Sequence, residues 1–127
     1  MKRLILVVED NPANSELLSD WLDIEGFAVE AAETLGQAFA AIRNRRFDAI
    51  LLDVQLGLED GLDLARWIRQ DSVLRNTPVI AVTAHAMVTD QARVLQAGCN
   101  ACISKPIDFQ LLKKQLDRYL PATPDQG

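Results

Sequence analysis

The sequence predicts an α/β domain with a doubly wound, five-stranded parallel sheet of order 2-1-3-4-5 and helices on both faces. Three features carry that prediction. Continuous apolar runs of four or five residues, rich in β-branched side chains, suit strands buried on both faces. The longer stretches between them repeat apolar residues at helical spacing. No turn signal such as Asn-Gly joins two runs into a hairpin, so each crossover passes through a helix and is right-handed.

Leu4-Ile5-Leu6-Val7-Val8 forms the first strand. Asn11 caps the first helix and Pro12 takes its first position, where a missing N–H costs nothing. Leu17, Leu18, Trp21 and Leu22 form that helix's apolar stripe, and Gly26 stops it. Phe27-Ala28-Val29-Glu30 is short and charged, as edge strands are. Leu35, Ala38, Phe39 and Ile42 define the second helix, and Ala49-Ile50-Leu51-Leu52 the third strand. Asp60-Gly61 opens the third helix, with Leu64, Ala65 and Ile68 on one side. Val79-Ile80-Ala81-Val82 is the fourth strand, and a fourth helix runs roughly from Val88 to Ala97, closing at Gly98. Ala101-Cys102-Ile103 makes the other edge, and Phe109, Leu112, Leu116, Tyr119 and Leu120 the last helix. With strands one, three and four central, the order is 2-1-3-4-5.

Composition narrows the function. With 127 residues, 49% apolar and 24% charged, the chain has the balance of one globular domain rather than a disordered, collagen-like or disulfide-scaffold chain. No apolar run exceeds five residues, far short of a membrane span or a signal-peptide core. A net charge of −5 argues against a broad basic surface for nucleic acid. The expectation is a cytoplasmic domain without direct nucleic-acid or membrane contact. The charge is unevenly placed: net −8 over residues 1–63 and net +3 over residues 64–127. Glu16, Asp20, Asp23 and Glu25 account for part of the acidic excess as a solvated helix face.

The rest of that excess falls where solvation is not the reason. In an open parallel sheet, ligands bind at the carboxyl ends of the strands, beside the point where strand order reverses. Strand one ends in Glu9-Asp10, strand three in Asp53, strand four in Thr83 and strand five in Ser104-Lys105-Pro106. Strands one and three are neighbours, so three carboxylates converge with a hydroxyl and an ammonium alongside. Carboxylates so placed repel one another unless a cation or shared protons intervene. A hard divalent ion with oxygen ligands, Mg²⁺ above all, meets that need.

These residues carry a family resemblance. Val8-Glu9-Asp10-Asn11, Asp53 with Asp60-Gly61 downstream, Thr83-Ala84 and Lys105-Pro106 resemble, in type and spacing, the receiver domains of two-component response regulators, the CheY-like family, over residues 2–120. The resemblance implies that Asp53 accepts a phosphoryl group from the histidine of a sensor kinase or phosphotransfer protein. It implies direct Mg²⁺ ligation by Asp10 and Asp53, action of Glu9 largely through water, and a main-chain carbonyl ligand from Gln55. Lys105 would pair with the acceptor carboxylate and then with phosphoryl oxygens, and Thr83 would turn its hydroxyl to the same group. The fourth helix, fifth strand and fifth helix would form the surface for a downstream protein, with Lys113, Lys114 and Arg118 on it. Residues 1–120 then form the receiver and 121–127 a tail or truncated linker, a complete switch with no output domain. It is either a stand-alone receiver or part of a larger regulator or hybrid kinase.

The sequence departs from the family pattern at two places. Gly57 stands where a proline is frequent, which predicts a looser loop after the acceptor. Cys102 stands where the family often has a tyrosine or phenylalanine that swings inward on activation, a motion cysteine is too small to perform. Cys99 and Cys102 also spell C-x-x-C, but the motif follows a helix and enters a strand, the reverse of the redox context. Zinc would need further ligands, and His85 is the only histidine; the cysteines are expected to be small core residues. His85 itself is expected in a loop, where the resemblance would pair it with Gln55 in controlling water access. Trp21 and Trp67 are expected to pack rather than bind.

Two other functions fit the same acids less well. A Mg²⁺-dependent phosphohydrolase working through an aspartyl-phosphate needs a further general acid and a substrate cap, for which 127 residues leave no room. A flavin-nucleotide binder on this fold needs a phosphate loop, whereas Glu9-Asp10-Asn11-Pro12 is acidic and lacks glycine.

Overall fold

The computed structural model describes residues 2–84 and 88–120. Strands β1 (Leu4–Val8), β2 (Ala28–Ala32), β3 (Ala49–Asp53), β6 (Val79–Thr83) and β7 (Ala101–Ser104) form one sheet in the order β2-β1-β3-β6-β7, every pair parallel. That is the order 2-1-3-4-5 in the five long strands. Helices α1 (Pro12–Ile24), α2 (Leu35–Asn44), α3 (Leu62–Gln70), α4 (Val88–Gln96) and α5 (Phe109–Tyr119) fill the crossovers and the end of the chain.

The three central strands are buried throughout apart from Leu4, as continuous apolar runs require. Alternate residues feed two cores. Leu6, Val8, Ile50, Leu52, Val79 and Ala81 meet α2, α3 and α4, while Ile5, Val7, Ala49, Leu51 and Ile80 meet α1 and α5. β2 runs two residues beyond the expected Glu30 because it pairs along all of β1, from Leu4 with Ala28 to Val8 with Ala32. α1 begins as expected: the Asn11 side chain accepts from Ala13 and Asn14 amides, at 2.9 and 3.1 Å, and Pro12 opens the helix. Its stripe is narrower than expected, since Leu18 and Leu22 are buried but Leu17 is 57% exposed. Trp21 packs on Phe109 with ring centroids 5.1 Å apart, and Trp67 meets Phe39 edge-on at 5.5 Å. Both tryptophans therefore pack, as expected. Glu16, Asp20 and Asp23 do lie exposed along α1, whereas Glu25 is its C-cap and pairs with Lys113.

One element was not expected. β4 (Gln55–Leu56) and β5 (Glu59–Asp60) pair antiparallel as a short hairpin directly after Asp53. Its two-residue connection places Gly57 first, at φ +60, the position a II′ turn reserves for glycine. The signal is Gly-Leu rather than Asn-Gly, which is why the sequence pattern does not show it.

Candidate functional site

The sheet assembles the site from chain segments far apart in sequence. β1 and β3 are neighbours, so Glu9 and Asp10, just past the end of β1, stand beside Asp53 at the end of β3. Glu9 is held by its amide, which donates to the Ala32 carbonyl at 3.0 Å and so continues the β1–β2 ladder. Glu9 is 2% exposed and Asp53 6%, while Asp10 faces solvent. Oxygen atoms of all three carboxylates lie within 4.8 Å of one another.

Lys105 arrives from the end of β7 and bridges the two buried acids. Its Nζ lies 3.1 Å from Asp53 Oδ2 and 3.2 Å from Glu9 Oε1. The Lys105 amide donates to the Thr83 carbonyl at 2.8 Å, which extends the β6–β7 register by one residue and aims the side chain back across the sheet. Thr83, 6% exposed, lines the same polar cavity of about 300 Å³ together with Asp10, Asn11, Asn14, Asp53, Gln55, Gly57 and Lys105. The structure thus brings together every predicted site residue: Glu9, Asp10, Asp53, Gln55, Thr83 and Lys105. His85 lies outside the described residues.

Two glycines shape the loop after Asp53. The Gly57 amide donates to Asp10 Oδ2 at 2.9 Å, and its φ of +60 turns the hairpin over the acids. Gly57 therefore fastens the loop rather than loosening it; proline has neither the N–H nor access to that φ. Gly61, just before α3, passes so close to β3 that a Cβ there would overlap the Asp53 carbonyl oxygen and sit 3.1 Å from that of Val54. The Gly61 amide donates to the Val54 carbonyl at 2.7 Å, and the Gln55 amide donates to Asp53 Oδ1 at 3.1 Å. Both oxygens of Asp53 are thus held before any ligand arrives.

The charges at the site do not balance. Burial, the hydrogen bond that a protonated Glu9 donates to Asp53 and the Asp53 charge all raise the Glu9 pKa, and Lys105 only partly counters them. Burial pulls the Lys105 ammonium down, but the hydrogen bonds and charges of Asp53 and Glu9 outweigh it, so its net shift is upward. Glu9 Oε2 is buried and has no hydrogen-bond partner among the described residues. An orphaned carboxylate oxygen beside two further carboxylates fits a hard divalent cation with oxygen ligands.

Beside this mouth an apolar groove of about 230 Å³ runs between α1 and α5, walled by Leu17, Leu18, Ile107 and Phe109 and reaching Asp53 and Lys105 at one end. Leu17 is exposed because it forms that wall. On α5, Lys113 pairs with Glu25, the C-cap of α1, at 3.2 Å, so it stands on the α1 side of the helix, while Lys114 and Arg118 are exposed without an ion pair among the described residues. Cys99 and Cys102 are both free thiols; burial pushes Cys99 up to about 12 and raises Cys102 as well, the state of core thiols rather than of a redox pair or zinc ligands.

One polar device escaped sequence reasoning. The Arg69 guanidinium, on α3, donates to the carbonyls of Gly98, Arg75 and Thr77 at 2.7, 2.9 and 2.7 Å and to Asn100 Oδ1 at 2.7 Å. Asn100 Oδ1 also accepts from the Val79 amide at 2.8 Å. This fork ties α3 to the two strands that deliver Thr83 and Lys105. An arginine at the end of an amphipathic helix gives no hint of it in the sequence.

A family model described as the response regulator receiver domain matches residues 5–117. The polar-differentiation response regulator DivK of Brucella anthropi is 38% identical over 120 residues, covering 94% of this chain and 98% of that protein. Among solved structures, the receiver domain of the sensor histidine kinase PA1611 of Pseudomonas aeruginosa, with magnesium coordinated in its active-site cleft, is 36% identical at a TM-score of 0.85, covering 94% of this chain and 98% of that one. A putative response regulator of Chloroflexus aurantiacus is 26% identical at a TM-score of 0.89, covering the same shares. Nothing in these matches supports the phosphohydrolase reading.

Proposed function

The chain belongs to the response regulator receiver domain family, and from that premise we propose that Asp53 takes a phosphoryl group from a histidine of a sensor kinase or phosphotransfer protein. It is a receiver domain of two-component signalling, and we read residues 1–120 as the receiver unit. The observation that carries the site assignment is one constellation. Asp53 is buried at a strand end, 3.1 Å from Lys105, with two other carboxylates within 4.8 Å.

The chemistry follows from that arrangement. One oxygen of Asp53 forms the new O–P bond as the N–P bond of the donor breaks and its electron pair returns to the imidazole nitrogen. Donor and acceptor are both negatively charged, so the barrier is set by charge and alignment. Glu9, Asp10, Asp53 and the main-chain carbonyl of Gln55 would hold Mg²⁺, which when bound offsets negative charge on the phosphoryl oxygens. Lys105 supplies a second positive charge at Asp53 Oδ2 and stays with the phosphoryl oxygens afterward. Thr83 offers its hydroxyl from the cavity wall. The groove between α1 and α5 opens onto the same mouth and gives a partner's helix an apolar seat while its histidine reaches Asp53.

The product is an acyl phosphate, which water cleaves, so the domain's chemistry is confined to gaining and losing its own phosphoryl group. The new charge at the ends of β6 and β7 shifts α4, β7 and α5 between two arrangements, and that face meets the downstream protein. Cys102, partly buried in β7, takes no part as an aromatic switch. The deciding experiment incubates the chain with a small phosphodonor, with and without Mg²⁺, beside Asp53→Asn. Mg²⁺-dependent phosphorylation of the native chain alone is expected, and equal labelling of both proteins would remove Asp53 as the acceptor.

A further inference from the structure

At the opposite end of the sheet from Asp53, the C-terminal ends of α2 and α3 and the loops leading to β3 and β6 enclose a second groove, of about 360 Å³. Its walls are unlike the rest of this acidic protein. Arg43, Arg45 and Arg46 line the α2 side, and Trp67, Asp71, Val73 and Leu74 the α3 side. Val73 is 60% exposed, and Trp67 is only partly covered by its edge-on contact with Phe39. Three arginines outnumber the one lining carboxylate, Asp71. Asp71 accepts from the Val73 and Leu74 amides at 3.0 and 2.9 Å, and Glu30 pairs with Arg45 at 2.8 Å. Arg43 lies over the Phe39 ring at 6.0 Å, and neither it nor Arg46 has an ion-pair partner among the described residues.

We propose that this groove docks an acidic segment of a partner protein that carries a bulky apolar side chain between its carboxylates. The charge complementarity is direct: guanidinium forks match carboxylates, and the tryptophan face and valine match an apolar anchor. A nucleic acid fits less well, because the α3 side of the groove is apolar apart from the Asp71 carboxylate and the chain as a whole carries −5. The groove stands away from Asp53 and from the face assigned to α4, β7 and α5. Docking there therefore tethers a partner whether or not Asp53 is phosphorylated.

The test uses the full chain and a short acetylated peptide of glutamates around a central Phe-Leu pair. Binding is followed by amide and indole N–H chemical shifts. Saturable shifts at the Trp67 indole and at residues 43–46 are expected, unchanged when Mg²⁺ and beryllofluoride are added. The double variant Arg43→Glu/Arg46→Glu should weaken binding about tenfold or more, while its Mg²⁺-dependent phosphorylation stays intact and reports correct folding. The proposal is overturned by absent shifts at millimolar peptide, or by equal binding of a peptide with serines in place of Phe-Leu. It is equally overturned by tighter binding of a single-stranded oligonucleotide at the same residues, or by a concentration-dependent dimer, lost in the double variant, that occupies the groove.

Discussion

Lys105 Nζ sits 3.1 Å from Asp53 Oδ2 and holds Glu9 Oε1 at 3.2 Å with the same ammonium, so one cation bridges two carboxylates that are almost fully buried. Removing it affects the two functions of the site in opposite directions. Lys105→Met should slow phosphorylation by a small donor by about a hundredfold or more, because a charge aimed at the transferring group is gone. Mg²⁺ should bind the same variant more tightly, because a competing positive charge has left the carboxylates. Titration calorimetry for the metal and rates of mass gain for the phosphoryl group check both; an unchanged rate removes Lys105 from the reaction.

Gly61 is fixed by space rather than by backbone freedom. A methyl group there meets the Asp53 carbonyl oxygen and the Val54 carbonyl, both backbone and both already in place. Gly61→Ala should cost about 1–3 kcal/mol in urea unfolding and should displace the end of β3. Phosphorylation is expected to slow with it, whereas Gly36→Ala, where the nearest atom is 3.8 Å from the added Cβ, should leave the rate unchanged.

The two thiols should react in a fixed order. Cys102 is partly exposed and Cys99 buried, so a thiol reagent at mild alkaline pH labels Cys102 in the folded protein and Cys99 only on unfolding. Cys99 is pushed from an ordinary 9.0 to about 12, and the sign of its linkage follows. The folded state keeps its proton where the unfolded state has lost it, so stability is full below about 9 and falls as pH rises toward 12. Cys99→Ala should flatten that part of the curve. Simultaneous labelling of both thiols in native protein would contradict the burial.

Arg69 makes four hydrogen bonds with one planar fork, three of them to main-chain carbonyls. Lysine reaches as far but cannot divide its donors among that geometry. Arg69→Lys should therefore destabilise by about 2 kcal/mol, read as a lower urea midpoint, with Mg²⁺ affinity nearly unchanged.

What the sequence reveals of this protein follows from what is local. Apolar runs such as Ile50–Leu52 and the cap at Asn11 announce their elements because burial and capping act over a few residues. The candidate site is legible for the same reason: in a parallel sheet, a residue's place at a strand end is a place in the crevice, so the sequence alone groups Glu9, Asp10, Asp53, Thr83 and Lys105. The missed features depend on contacts distant in sequence. The Gly57 amide is useful only because Asp10, 47 positions earlier, lies above it, and the fork of Arg69 finds Asn100 31 residues later. Periodicity places Leu17 on the apolar stripe of α1, yet it walls a groove, because the stripe that α1 buries is only as wide as its contact with the sheet and α5.

Glu9 Oε2 has no hydrogen-bond partner among the described residues although the residue is only 2% exposed. Burial, with Asp53 beside it, raises the pKa of Glu9 above its ordinary 4.5. A carboxyl raised in the folded state contributes stability that is complete below about 4.5 and is lost as pH rises through the folded value. Ionisation of Glu9 therefore opposes folding, and in chelator Glu9→Gln should gain stability over the native protein as pH rises through the folded value. The difference should close as pH falls below 4.5, where both proteins are neutral at that position. Mg²⁺ should reverse the order at neutral pH, since the native site gains the binding free energy of the cation and the variant gains less of it. Thermal melts of both proteins across pH, with chelator and with Mg²⁺, read all three effects; a variant less stable than the native chain in chelator at neutral pH shows that Lys105 already satisfies Glu9 and that no cation is required.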